Sequence, residues 1–88
     1  MKRITLTEFK EICDRSGTST YTLSSDTIVS TIRNAHVSVY FAPWAIKISG
    51  ESYVAVGSVK DVFLSNNKDT VEFVVELNNG DVYSLIVT

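Results

Sequence analysis

The side chains able to do chemistry are few in this chain, and they lie far apart. One histidine, His36, and one cysteine, Cys13, stand among scattered carboxylates. A metal centre needs several His, Cys or carboxylate ligands that converge, and no motif here brings such ligands together. His36 opens a strand beside an expected turn at Asn34-Ala35 and reads as a strand-edge histidine. Cys13 falls on the apolar stripe of a helix, where a thiol is buried rather than nucleophilic. A nucleophilic triad would have to use His36 with a serine and an acid that no motif singles out. The stretch SGES at 49–52 is neither a nucleophile elbow nor a phosphate loop. Glu72 and Glu76, four residues apart on one strand, stand about 13 to 14 Å apart at the usual strand rise, too far for paired-carboxylate catalysis. Catalysis is therefore the least supported reading, and no cofactor or metal is expected.

Aromatic side chains are the next candidates. Tyr40, Phe41, Trp44 and Tyr53 could serve as stacking platforms beside Arg33 and Lys47, as in small β-barrels that hold single-stranded nucleic acid. A groove of that kind usually carries several cations, and only two lie near these rings. The competing reading is that alternate members of the set fill the core. Arg33, Tyr40, Trp44, Lys47 and Tyr53 thus form an alternative, nucleic-acid face.

The elements that must position these groups begin with a helix. Thr5 and Glu8 make a T-x-x-E capping box, with Ile4 and Phe9 at the two positions of a hydrophobic staple. Phe9, Ile12 and Cys13 continue as an apolar stripe, and Gly17 is expected to end the helix as its C′ residue. A helix of about three turns is not stable alone in water, so the stripe must pack on a sheet. After Gly17 the chain turns to Val, Ile, Thr and aromatics, and strands are expected at 19–24, 27–33, 36–42, 44–49, 53–57, 59–64, 70–77 and 81–87, with some of them merging. Residues 25–34 also fit a short helix capped by Ser25, although their β-branched side chains favour a strand. Pro43 should break the path between strands 36–42 and 44–49.

Two hairpins can be read in register. Gly50-Glu51 suits a two-residue turn that pairs Ile48 with Tyr53, Ile46 with Ala55 and Trp44 with Gly57. Further on, a two-residue Asn79-Gly80 turn would put Ser84 inside. A three-residue loop, Asn78-Asn79-Gly80 with Gly80 left-handed, instead pairs Val71 with Val87, Phe73 with Leu85 and Val75 with Tyr83, and is preferred. Its opposite face carries Glu72, Val74, Glu76, Val82, Ser84 and Ile86, a mixed surface that suits either plain solvent or a basic, partly apolar partner.

Length and charge bound the rest. Eighty-eight residues suffice for one domain, 1–88, and one core. The net charge of -2 is neither the basic balance that attracts phosphate nor the density of a nucleic-acid mimic. Residues 1–47 carry six cations against four anions, and the remainder two against six. A lone cysteine forms no internal disulfide and suits a reducing compartment. Glu8, Lys10 and Glu11 interrupt any signal-peptide run, and no apolar segment approaches the roughly 18 to 20 residues of a membrane span, so the expected location is the cytoplasm.

The expected fold is α+β, a short N-terminal helix on a mostly antiparallel sheet or partly open barrel of meander type. The expected function is a non-catalytic protein-interaction module such as a small subunit, adaptor or inhibitor. Its partner would be another protein or a second copy, met through an edge strand or an exposed face.

Overall fold

The computed structural model describes residues 1–41 and 43–88. The chain runs β1 (Lys2–Ile4), α1 (Leu6–Arg15), β2 (Ser19–Ser24), β3 (Val29–Tyr40), β4 (Ala45–Ser49), β5 (Tyr53–Gly57), β6 (Val59–Asn66), β7 (Val71–Leu77) and β8 (Val82–Val87). The strands form one sheet of eight in the order β1-β6-β7-β8-β2-β3-β4-β5. Every pairing among the described residues is antiparallel. The sheet is not closed into a barrel, and β1 and β5 are its edges.

Nor is it a simple meander. Two meanders, β2-β3-β4-β5 and β6-β7-β8, are joined side by side where β2 pairs with β8. Ser58 alone separates β5 from β6, with φ of 58°. It turns the chain from one edge of the sheet towards the strand beside the other edge, which requires the sheet to curl strongly. At that corner the Val59 N–H donates to the Trp44 carbonyl, 3.0 Å away. The helix does not come first, because Lys2–Ile4 pairs with Val62–Leu64 as a short strand ahead of it.

The cap forms as the sequence indicates. Glu8 N–H donates to the Thr5 hydroxyl at 3.0 Å, and the Thr5 N–H donates to the Glu8 carboxylate at 3.2 Å. Ile4 and Phe9 are both buried, and the Phe9 ring meets Phe73 edge to face at 4.9 Å between centroids. Gly17 follows the helix at C′ as expected. Ser16 is the C-cap in an extended conformation, with its N–H donating to the carbonyls of Ile12 and Cys13 and its hydroxyl to Ile12. Gly17 is not left-handed, because the serine already satisfies the last turn.

Residues 27–33 and 36–42 do not form separate strands, and no turn interrupts them at Asn34-Ala35. They merge into β3, whose pairing with β2 shifts by one residue between Ser19 and Tyr21. Asn34, with φ of 50°, absorbs the extra residue as a bulge, after which Ala35 still pairs with Ser19 and the strand pairs with β4 from His36 onwards. Side chains alternate correctly on both sides of the bulge, with Ile32, Ala35, Val37 and Val39 all buried. Ala42, the expected end of strand 36–42, lies outside the described residues. Pro43 falls in the connection between β3 and β4 as expected.

The first hairpin is off the expected register by one. Ser49 pairs with Tyr53, Ile48 with Val54, Ile46 with Val56 and Ala45 with Gly57. The reason lies outside the turn. Gly50 presses on β3, where an added Cβ would sit 2.5 Å from the Arg33 carbonyl oxygen and 2.8 Å from the Ala35 Cβ. Glycine is needed for close approach, and the loop is free to take three residues. The Glu51 N–H then donates to the Arg33 carbonyl at 3.2 Å. The second hairpin forms in the preferred register, with Val71–Val87, Phe73–Leu85 and Val75–Tyr83 paired and Gly80 at φ of 93°.

Candidate functional site

The titratable side chains with catalytic capacity do not assemble. Among the described residues no group of three or more His, Cys, Asp and Glu could hold a metal ion. His36 is half-buried on β3, and its Nδ1 lies 3.5 Å from the Ser38 hydroxyl. Cys13 is buried, and desolvation, reinforced by the charge of Asp14, pushes its thiol up to about 12. A thiol held neutral in this way is not a nucleophile. Among the described residues no charged side chain is buried, and the buried side chains that carry a polar group are Cys13 and Tyr21.

The β7–β8 register brings Glu72, Val74, Glu76, Val82, Ser84 and Ile86 to one outer face, opposite the buried Phe73, Val75 and Leu85. Neighbouring strands extend that face. Phe63 stands beside Val74, Thr22 beside Ile86, and Ser24 beside Ser84. Its charges are largely answered from within. The Ser84 hydroxyl donates to the Glu72 carboxylate, Lys60 stands 3.6 Å from Glu76, and Arg3 pairs with Asp61 at 2.7 Å.

One end of this face is concave. The β2–β3 loop and the β7–β8 hairpin rise on either side of a groove of about 550 Å³, with Ser24, Val74, Val82 and Ser84 in its lining. Asp26 and Asp81 also line it, and no Lys or Arg does. Val82 is 50% exposed, and Val29, paired with Ser24, is 71% exposed. Val29 is absent from the sequence-based face. It reaches that face because β2 pairs with β8, a long-range pairing that no local motif announces.

The aromatic set is divided. Tyr40, Lys47 and Tyr53 share the outer face of β3–β5, where Tyr40 pairs with Ala45, Lys47 with Ala55 and Ser49 with Tyr53. The Lys47 ammonium lies 5.0 Å from the centre of the Tyr53 ring. Trp44 is not beside them. It is half-buried before the start of β4, packed on the core, with the exposed Phe41 edge to face at 4.8 Å. Arg33 sits exposed at the β3 bulge. The five residues of the nucleic-acid face therefore do not build one continuous platform.

Among the described residues no helix is long and apolar enough to cross a membrane. No family model and no curated protein matches the chain. Among solved structures it is similar to the crystal structure of the Bacillus subtilis YojF protein, with a TM-score of 0.51 and 15% sequence identity over 99% of this chain and 92% of that one. At that identity, the likeness is one of fold alone.

Proposed function

We propose that this chain is a non-catalytic protein-interaction domain, a small subunit, adaptor or inhibitor, that receives a basic, partly apolar segment of another protein. The observation that carries this reading is the groove between the β2–β3 loop and the β7–β8 hairpin. Its lining combines two aspartates with Val74 and Val82 and holds no cation. Exposed apolar side chains gathered at a concave surface mark contact sites more often than singly scattered ones do. The acids steer a cationic segment and fix its register, and the valines supply area that leaves water on contact. The acidic balance of residues 48–88 acts in the same direction.

Affinity capture from a lysate of the native host, with the wild-type chain and the Val82→Lys and Ile86→Lys variants as bait, tests this. The expected result is a captured protein with a basic segment, lost from the Val82→Lys bait while that variant melts as the wild type does. Equal capture by the wild type and by folded Val82→Lys would move the partner away from the groove.

A further inference from the structure

The two edges of the sheet are not alike. Strand β1 is three residues long and carries Lys2 and Arg3, the short, charged form that discourages further pairing. Strand β5, Tyr53–Gly57, pairs with β4 on one side and ends the sheet on the other. It has no charge, no proline and no bulge. Alternate residues of an edge strand leave their N–H and C=O groups without a ladder partner, so β5 offers backbone and apolar side chains together.

We propose that β5 is a homodimer interface, in which two copies of this chain pair their β5 strands antiparallel about a two-fold axis at Ala55. This uses a different surface from the groove and does not depend on it.

The strand is complementary to itself in that arrangement. Antiparallel pairing about Ala55 sets Ala55 against the second copy's Ala55, Val54 against Val56 and Tyr53 against Gly57. Tyr53, Ala55 and Gly57 are the outward, exposed residues of β5. Tyr53 is 59% exposed, and a Cβ built on Gly57 meets nothing within 4 Å, so each ring would lie over the open space at the other copy's glycine. A large side chain opposite a glycine fills a place where a strand is otherwise weak. Beyond Gly57 the same face continues through Ala45 to Tyr40, a shallow floor with an aromatic far wall.

Electrostatics agree with the same axis. The neutral strand brings no like charges together at its centre. The nearest charge on the paired face belongs to Lys47, whose backbone, opposite Ala55 on β4, would stand three strand spacings, about 14 Å, from its equivalent, and whose ammonium lies over the Tyr53 ring of its own copy. An isologous contact of this kind joins the two curled sheets through one continuous ladder.

Sedimentation of the full chain across a wide concentration range, with Ala55→Arg beside the wild type, tests the interface. The expected result is a concentration-dependent wild-type dimer and a folded, monomeric Ala55→Arg, because two like charges would face each other across the axis. Oxidation of Ala55→Cys supplies a second reading that does not require the arginine variant to fold. Opposed residues in an antiparallel pair stand about 4.5 to 5.5 Å apart at Cα, within disulfide range, and the buried Cys13 does not compete. Ala55→Cys should give a covalent dimer where Ile86→Cys, on β8 away from the edge, does not. A wild type that stays monomeric at every concentration, a folded Ala55→Arg that still dimerises, or equal cross-linking of the two cysteine variants would each overturn the proposal.

Discussion

Asn78 donates twice to one carbonyl, that of Ser58, through its backbone N–H at 2.9 Å and its side-chain amide at 3.1 Å. The β7–β8 loop thereby locks the corner at which β5 becomes β6. Asn78→Ala, which removes the amide contact, should cost about 1 kcal/mol. Ser58→Gly should raise stability by up to about 1 kcal/mol, since the serine occupies the left-handed region at φ of 58°. Urea unfolding reads both as opposite shifts of the midpoint at constant slope. A Ser58→Gly variant that unfolds earlier would show that the serine itself is needed at the corner.

Two exposed glycines should respond differently to the same added methyl. Gly50→Ala drives a Cβ to within 2.5 Å of the Arg33 carbonyl, a backbone atom that cannot step aside, and should cost about 2 kcal/mol or more. Gly57→Ala meets open space and should stay within about 0.5 kcal/mol of the wild type in the monomer. Thermal unfolding of the pair at low concentration checks this. Equal losses would contradict the close approach of the β4–β5 loop to β3.

The helix is held by its cap and by one ring. Thr5→Ala removes the hydroxyl that accepts from Glu8 and should cost about 1 kcal/mol. Phe9→Ala empties a fully buried site against Phe73 and should cost about 3 to 5 kcal/mol. An unchanged melting curve for Phe9→Ala would mean that the helix does not dock.

The divided aromatic set leads to a negative forecast for nucleic acid. A fluorescent single strand titrated at low salt should show no binding at tens of micromolar protein. Binding that weakens as salt rises, as counterion release requires, and that disappears in Trp44→Ala would instead establish the alternative face.

Local chemistry was readable from the residues, and long-range placement was not. The capping box, the buried Cys13 stripe and the Gly80 loop each depend on neighbours a few positions apart, and the structure has them as expected. The Gly50 turn departs from the two-residue form because its glycine answers to Arg33 and Ala35 on another strand. The merger of two strands into β3 depends on Asn34 adopting a left-handed conformation inside a strand, which its type allows without announcing. Of the groove, Val74, Val82 and Ser84 follow from hairpin parity, whereas Ser24, Asp26 and Thr27 join them only because β2 lies beside β8. A sequence of alternating strands does not state which of them will be neighbours.

Hydrogen-exchange footprinting of the domain, free and bound to the protein it captures, tests the groove most directly. Binding there should slow exchange in Ser24–Thr27 and Gly80–Ser84. Exchange in β4 should stay unchanged. Protection confined to Tyr40, Lys47 and Tyr53 on the β3–β5 face, with the groove segments exchanging as in the free protein, would contradict the account.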